Sequence, residues 1–217
     1  MKSKQTGFTL VEIAIVMVII GLLLGGVLKG QQMIENAKIK NLVNDFNGVS
    51  AAINSYLDRY HRLPGDDGPT ATLTGRGWTD AVGGNINGQL LTAANVFTTG
   101  ASENFYLWQD LRYSGFITGN PTTAGGGRNN PLNAYNGMIG VGQSDATNGL
   151  GLSSGPIICM GSVPGMAAIA IDTALDDGVP NTGSVRGILG VGNTQPAGVV
   201  GATAYVEAST YTICKTL

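Results

Sequence analysis

Residues 3–28 read SKQTGFTLVEIAIVMVIIGLLLGGVL. From Phe8 to Leu28 the run is apolar and, as a helix, about 31 Å long, the thickness of a bilayer core. Lys2 and Lys4 precede it, and no acid precedes Glu12. By the positive-inside rule that end stays in the cytoplasm and the rest of the chain crosses. A secretory signal has a shorter apolar core followed by a small-residue cleavage site. No such site follows here, so the segment is expected to stay with the mature chain. Glu12 is the exception within the run. A lone carboxylate in a bilayer costs on the order of 3 kcal/mol by insertion scales.

Beyond Lys29 the pattern turns amphipathic. Met33, Ile34, Ala37, Leu42, Val43, Phe46, Val49, Ile53, Tyr56, Leu57 and Tyr60 recur mostly three or four residues apart, which is one helical face. One helix of roughly 80 Å, from about Phe8 to Tyr60, accounts for both patterns. Gly21, Gly25, Gly26 and Gly30 each weaken it by about 1 kcal/mol relative to Ala. They point either to local unwinding between Gly21 and Gly30 or to close packing by small residues. Pro64 and Gly65 in YHRLPGDD stop the helix. His61, the single histidine, is expected as a solvated helix-end residue.

Charge divides along the chain. Residues 1–63 carry seven Lys/Arg and four Asp/Glu; residues 64–217 carry five and ten. The net charge of −2 gives no polybasic signature, so no specific nucleic-acid partner is expected. Cys159 and Cys214 are the two cysteines, both far from the apolar segment. An even count outside the cytoplasm points to one disulfide rather than two buried thiols. Closing a loop of about 55 residues contributes roughly 4 kcal/mol by chain entropy.

KQTGFTLVEIAIV resembles the class III signal of type IV pilins and type II secretion pseudopilins. In that pattern a short basic leader, a Gly, an aromatic residue, and then Thr, Leu and Glu fall at fixed offsets. The resemblance is firm over residues 1–64 and weaker beyond. It implies that a prepilin peptidase cuts between Gly7 and Phe8 and methylates the new amine of Phe8. It also implies that Glu12 neutralises the N-terminal amine of a neighbouring subunit during filament assembly. The open alternative is a contact from Glu12 to the amine of its own Phe8. Pairing recovers much of the penalty of a buried charge. The implied organisation is a leader at 1–7, a membrane and filament-core helix at 8–28, its amphipathic continuation at 29–63, and a globular head at 64–217.

The head holds 28 of the 34 glycines, with turn signals every few residues. Apolar segments recur between the turns, so an ordered domain is expected. GPIICMGSV (155–163) and ATAYVEASTYTICKTL (202–217) have strand character. In SENFYLWQDLRYSG (102–115), Ser102 is placed to cap a helix and Gly115 to end it. Phe105, Trp108 and Leu111 then form its inward stripe. The fold class is therefore α+β: a long N-terminal helix packed on an antiparallel sheet with long Gly-rich loops. Pilins share this architecture, and in them a C-terminal disulfide brackets a variable surface region, the place taken here by Cys159 and Cys214.

Two segments have cation-binding composition. Asp172, Asp176 and Asp177 in IDTALDDGVPNTG could hold calcium, which prefers oxygen ligands, and major pseudopilins carry a calcium loop near the C-terminus. A solvated Asx turn explains the same residues. GGNINGQL (83–90) matches the middle of a calcium loop but lacks both end carboxylates. No nucleophile or dinucleotide motif is present, and no enzymatic activity or other cofactor is expected. The expected function is a pilus subunit, major or minor, or alternatively a pseudopilin of a type II secretion system. Its partners are other pilins or copies of itself, the prepilin peptidase and an inner-membrane assembly platform. It resides in the inner membrane with a periplasmic head before assembly and in an extracellular pilus afterwards.

Overall fold

The first element, α1 (Leu10–Tyr60), is a single α-helix through both sequence patterns. The computed structural model describes residues 7, 9–97, 102–145 and 147–217. The chain divides into two compact units, Met1–Lys38 and Ile39–Leu217. In the first unit α1 buries none of its large apolar residues. In the second, Leu42, Phe46, Val49, Ile53 and Tyr56 form a buried stripe at alternating spacings of four and three.

The second unit is α+β. A short helix α2 (Thr70–Gly75) and helix α3 (Glu103–Tyr113) precede the first strand. The strands are β1 (Ile139–Ser144), β2 (Gly155–Pro164), β3 (Val185–Leu189) and β4 (Thr210–Thr216), with α4 (Gly165–Leu175) between β2 and β3. They make one antiparallel sheet of order β1-β2-β4-β3. Alternation along β2 sends its side chains to two cores. Ile158 and Met160 join α1, Leu107, Trp108 and Leu111 of α3, and Ile213 of β4. Ile157 and Cys159 join Cys214, Leu150, Leu152, Val96 and Phe97 on the opposite face. Loops and one short 3-10 turn (Ala93–Asn95), rather than long helices, therefore cover the second face, which is how so glycine-rich a head keeps its sheet dry on both sides.

The end of α1 falls at Tyr60, and His61 follows it exposed, with φ +54°. In α3 the stripe Phe105, Trp108, Leu111 is buried as the spacing predicts, and Gly115 leaves the helix at φ +79°. The strand expected from Ala202 begins only at Thr210. The preceding residues turn instead, because Tyr205 donates its hydroxyl to Asp172 and the Val206 N–H donates to the Tyr211 hydroxyl. These side-chain bonds replace ladder bonds. Helix α4 was hidden in a stretch whose carboxylates dominated its reading.

Candidate functional site: the N-terminal helix

Thr9 precedes the first residue of α1, and Glu12 stands three positions after it. The Thr9 N–H and hydroxyl both donate to Glu12 Oε2 at 2.8 Å, and the Glu12 N–H donates back to Thr9 Oγ1 at 3.3 Å. This reciprocal arrangement is a capping box. The threonine–glutamate spacing could have revealed it in the sequence, where attention to the charge obscured it. Within one chain, then, Glu12 satisfies donors that any helix start leaves open. Phe8, the residue expected to carry the partner amine, lies outside the described residues, whereas Gly7 is described and exposed.

After the cap, the apolar residues from Leu10 to Leu28 are exposed, with Leu10 at 90% and Leu22 at 73%. The helix is long and apolar enough to cross a membrane. It is continuous across Gly21, Gly25, Gly26 and Gly30. A Cβ at any of these four positions would meet nothing within 4 Å, so no approach within the chain demands glycine there. The family model described as the prokaryotic N-terminal methylation motif matches residues 2–28. This is the signal of type IV pilins and pseudopilins. The signal implies processing by a prepilin peptidase and assembly into filaments, and it marks a structural family rather than an enzymatic one. Together, signal and helix fit anchoring in a membrane before assembly. Neither a curated protein nor a solved structure matches the chain.

In the second unit Cys159 and Cys214 form a disulfide directly across β2 and β4, with Cα atoms 4.0 Å apart. Both cysteines are fully buried. Asp172, Asp176 and Asp177 do come together, with one carboxylate oxygen from each within 4.8 Å of the others. Each is also engaged locally. Asp172 accepts from the Gly178 N–H and the Tyr205 hydroxyl. Asp177 accepts from the Val179 N–H and the Thr182 hydroxyl. Asp176 Oδ2 accepts from the N–H groups of Ser184 and Val185, and the Pro180 carbonyl accepts from Gly187. Residues 176–184 thereby cover the outer edge of β3, which would otherwise offer a template for a foreign strand. Burial pushes the Asp172 carboxyl up, while the Thr182 hydroxyl and Val179 N–H hold Asp177 down.

The loop GGNINGQL has the polarity opposite to a cation site. Its backbone N–H groups point at carboxylates. Asn85 donates to Glu103, Ile86 and Asn87 to Asp66 Oδ1, and Gly88 to Asp66 Oδ2 at 2.6 Å. Ile86 takes φ +62° and Gly88 φ +79°, so the loop curls its N–H groups inward as an anion-holding nest. The calcium-loop likeness reflected turn residues, and the turn serves an acid instead. Residues 63–68 are buried throughout. There Asp67 accepts from the Tyr56 hydroxyl at 2.8 Å and pairs with Arg76 at 2.5 Å. The Gly65 N–H donates to Asp110 of α3 at 2.7 Å. Sequence reasoning missed this corner because its donors lie up to 45 residues away from their acceptors.

Proposed function

We propose that this chain is a structural subunit, major or minor, of a type IV pilus. In this reading the peptidase cuts between Gly7 and Phe8 and methylates Phe8. The head of the chain then faces the periplasm, and the assembly platform draws α1 out of the inner membrane into a filament of copies or related pilins. The observation that carries the reading is that the apolar helix segment within the methylation motif is unburied, with one carboxylate at its start. A surface that apolar needs either lipid or the same surface of other subunits. A disulfide-closed, glycine-rich head supports a pilus over the alternative, a type II secretion pseudopilus.

The mature chain is expected to begin at N-methyl-Phe8 in mass spectrometry; a chain beginning at Met1 overturns the processing step. Glu12 can be tested without disturbing its cap. Gln also serves in a capping box, so Glu12→Gln keeps the local geometry and removes the charge. If Glu12 pairs with a subunit amine, Glu12→Gln and Glu12→Ala both insert into the membrane and neither forms filaments. Filaments from Glu12→Gln alone would show that capping, and not charge, is what assembly needs. Imaging of shed surface filaments with mass spectrometry of their subunits separates pilus from pseudopilus.

A further inference from the structure

Asp110 is 1% exposed, and among the described residues the one donor on its carboxyl is the Gly65 N–H at Oδ2. Its Oδ1 is buried with no partner among the described residues. The groups facing it are Asp67 from the 63–68 turn, Tyr56 from α1, and the guanidiniums of Arg76 and Arg128. Neither cation is available. Arg76 is committed to Asp67 at 2.5 Å, and Arg128 donates to the Gln109 side chain and the Asp80 carbonyl. Glu103 and Asp66 are turned to residues 85–88. An ionised carboxyl with a single donor and a neighbouring carboxylate is untenable in a dry site. The backbone geometry ties this proton to docking. Gly65 takes φ +88°, and a Cβ there would collide with the Glu103 carbonyl oxygen, so the turn lies directly on α3.

We propose that Asp110 is a proton-dependent latch: its neutral carboxyl seats the 63–68 turn on α3, and loss of the proton unseats the turn as external pH rises. Burial, opposed by the Gly65 N–H and reinforced by the charge of Asp67, pushes this carboxyl up to about 8. A raised acid stabilises the fold fully below the unfolded value, near 4, and that contribution is lost as pH climbs to the folded value. Stability therefore declines from about pH 4 to about pH 8 and then levels. That the head meets external pH rests on the filament reading; the latch itself does not.

The test uses the full chain in detergent micelles and follows melting by tryptophan fluorescence, so it succeeds or fails independently of filament formation. The melting temperature is expected to fall by roughly 5 °C or more from about pH 5 to about pH 9. Asp110→Asn still accepts the Gly65 N–H but carries no titrating proton. Its melting temperature is expected to stay level over that range and to exceed that of the unaltered chain at the alkaline end. Parallel decline of the two proteins overturns the latch. Should Asp110→Asn not fold, infrared spectra of the unaltered chain decide. A protonated-carboxyl C=O band that vanishes between about pH 7 and about pH 9 supports the latch, and an unchanged band refutes it.

Discussion

The large apolar residues in the two halves of α1 are of the same kinds and meet opposite fates. Leu10 and Leu22 are 90% and 73% exposed, while Leu42 and Ile53 are fully buried. Helix propensity does not distinguish them. The first half is apolar all round, so no single face can satisfy it within one chain. The second half confines its apolar residues to one stripe, and its own head covers that stripe. A uniformly apolar helix specifies a solvent, either lipid or other helices; an amphipathic one specifies a partner surface. One continuous element thus serves two environments, and the pattern changes near Lys29.

Truncations sharpen the contrast. Phe46→Ala is expected to cost about 3–5 kcal/mol of head stability, read as a lower denaturant midpoint. The same measurement on Leu22→Ala should show no change, because Leu22 is 73% exposed and belongs to neither buried cluster of the head; a comparable loss there would break the comparison. Asp66→Ala tests how the buried half is terminated. It strips the acceptor from three N–H groups, at about 1–3 kcal/mol for each group left buried. Part of that loss falls on N–H groups that reach water, so head stability should drop by about 3 kcal/mol, read as a lower denaturant midpoint. Hydrogen exchange should quicken at Ile86, Asn87 and Gly88 before it does in the sheet. The smallest effect belongs to the exposed half. Thr9→Val removes its capping oxygen at about 1 kcal/mol, visible as faster exchange in the first turn of α1 with the head's melting unmoved.

These differences also mark what could be read in the sequence. The course of α1, its stop before Pro64, the inward stripe of α3 and the strand around Cys159 all follow from periodicity and local breakers. Helix α4 was missed because its Ala/Ile run lacks a polar face and its N-cap, Pro164, makes no side-chain bond. The start of β4 was misplaced because Tyr205 and Tyr211 bind elsewhere. The roles of Asp66, Asp67 and Asp110 could not be read at all. Each is a short acid with donors from elements nine or more residues away, and nothing local separates such a residue from a solvated turn. For the N-terminal site the reverse holds: Gly7, Phe8 and Glu12 stand in one local motif, and Thr9 was the member overlooked.

The bond between Cys159 and Cys214 joins the two central strands, and it also determines which part of the head can be drawn out when the chain is pulled from its ends. Force drawn between α1 and the residues after Cys214 passes through that bond and not around the intervening chain. The 55-residue separation between the cysteines would extend to about 190 Å if drawn straight. That slack, with α4, β3 and the acidic loop inside it, is a closed ring hanging off the load path.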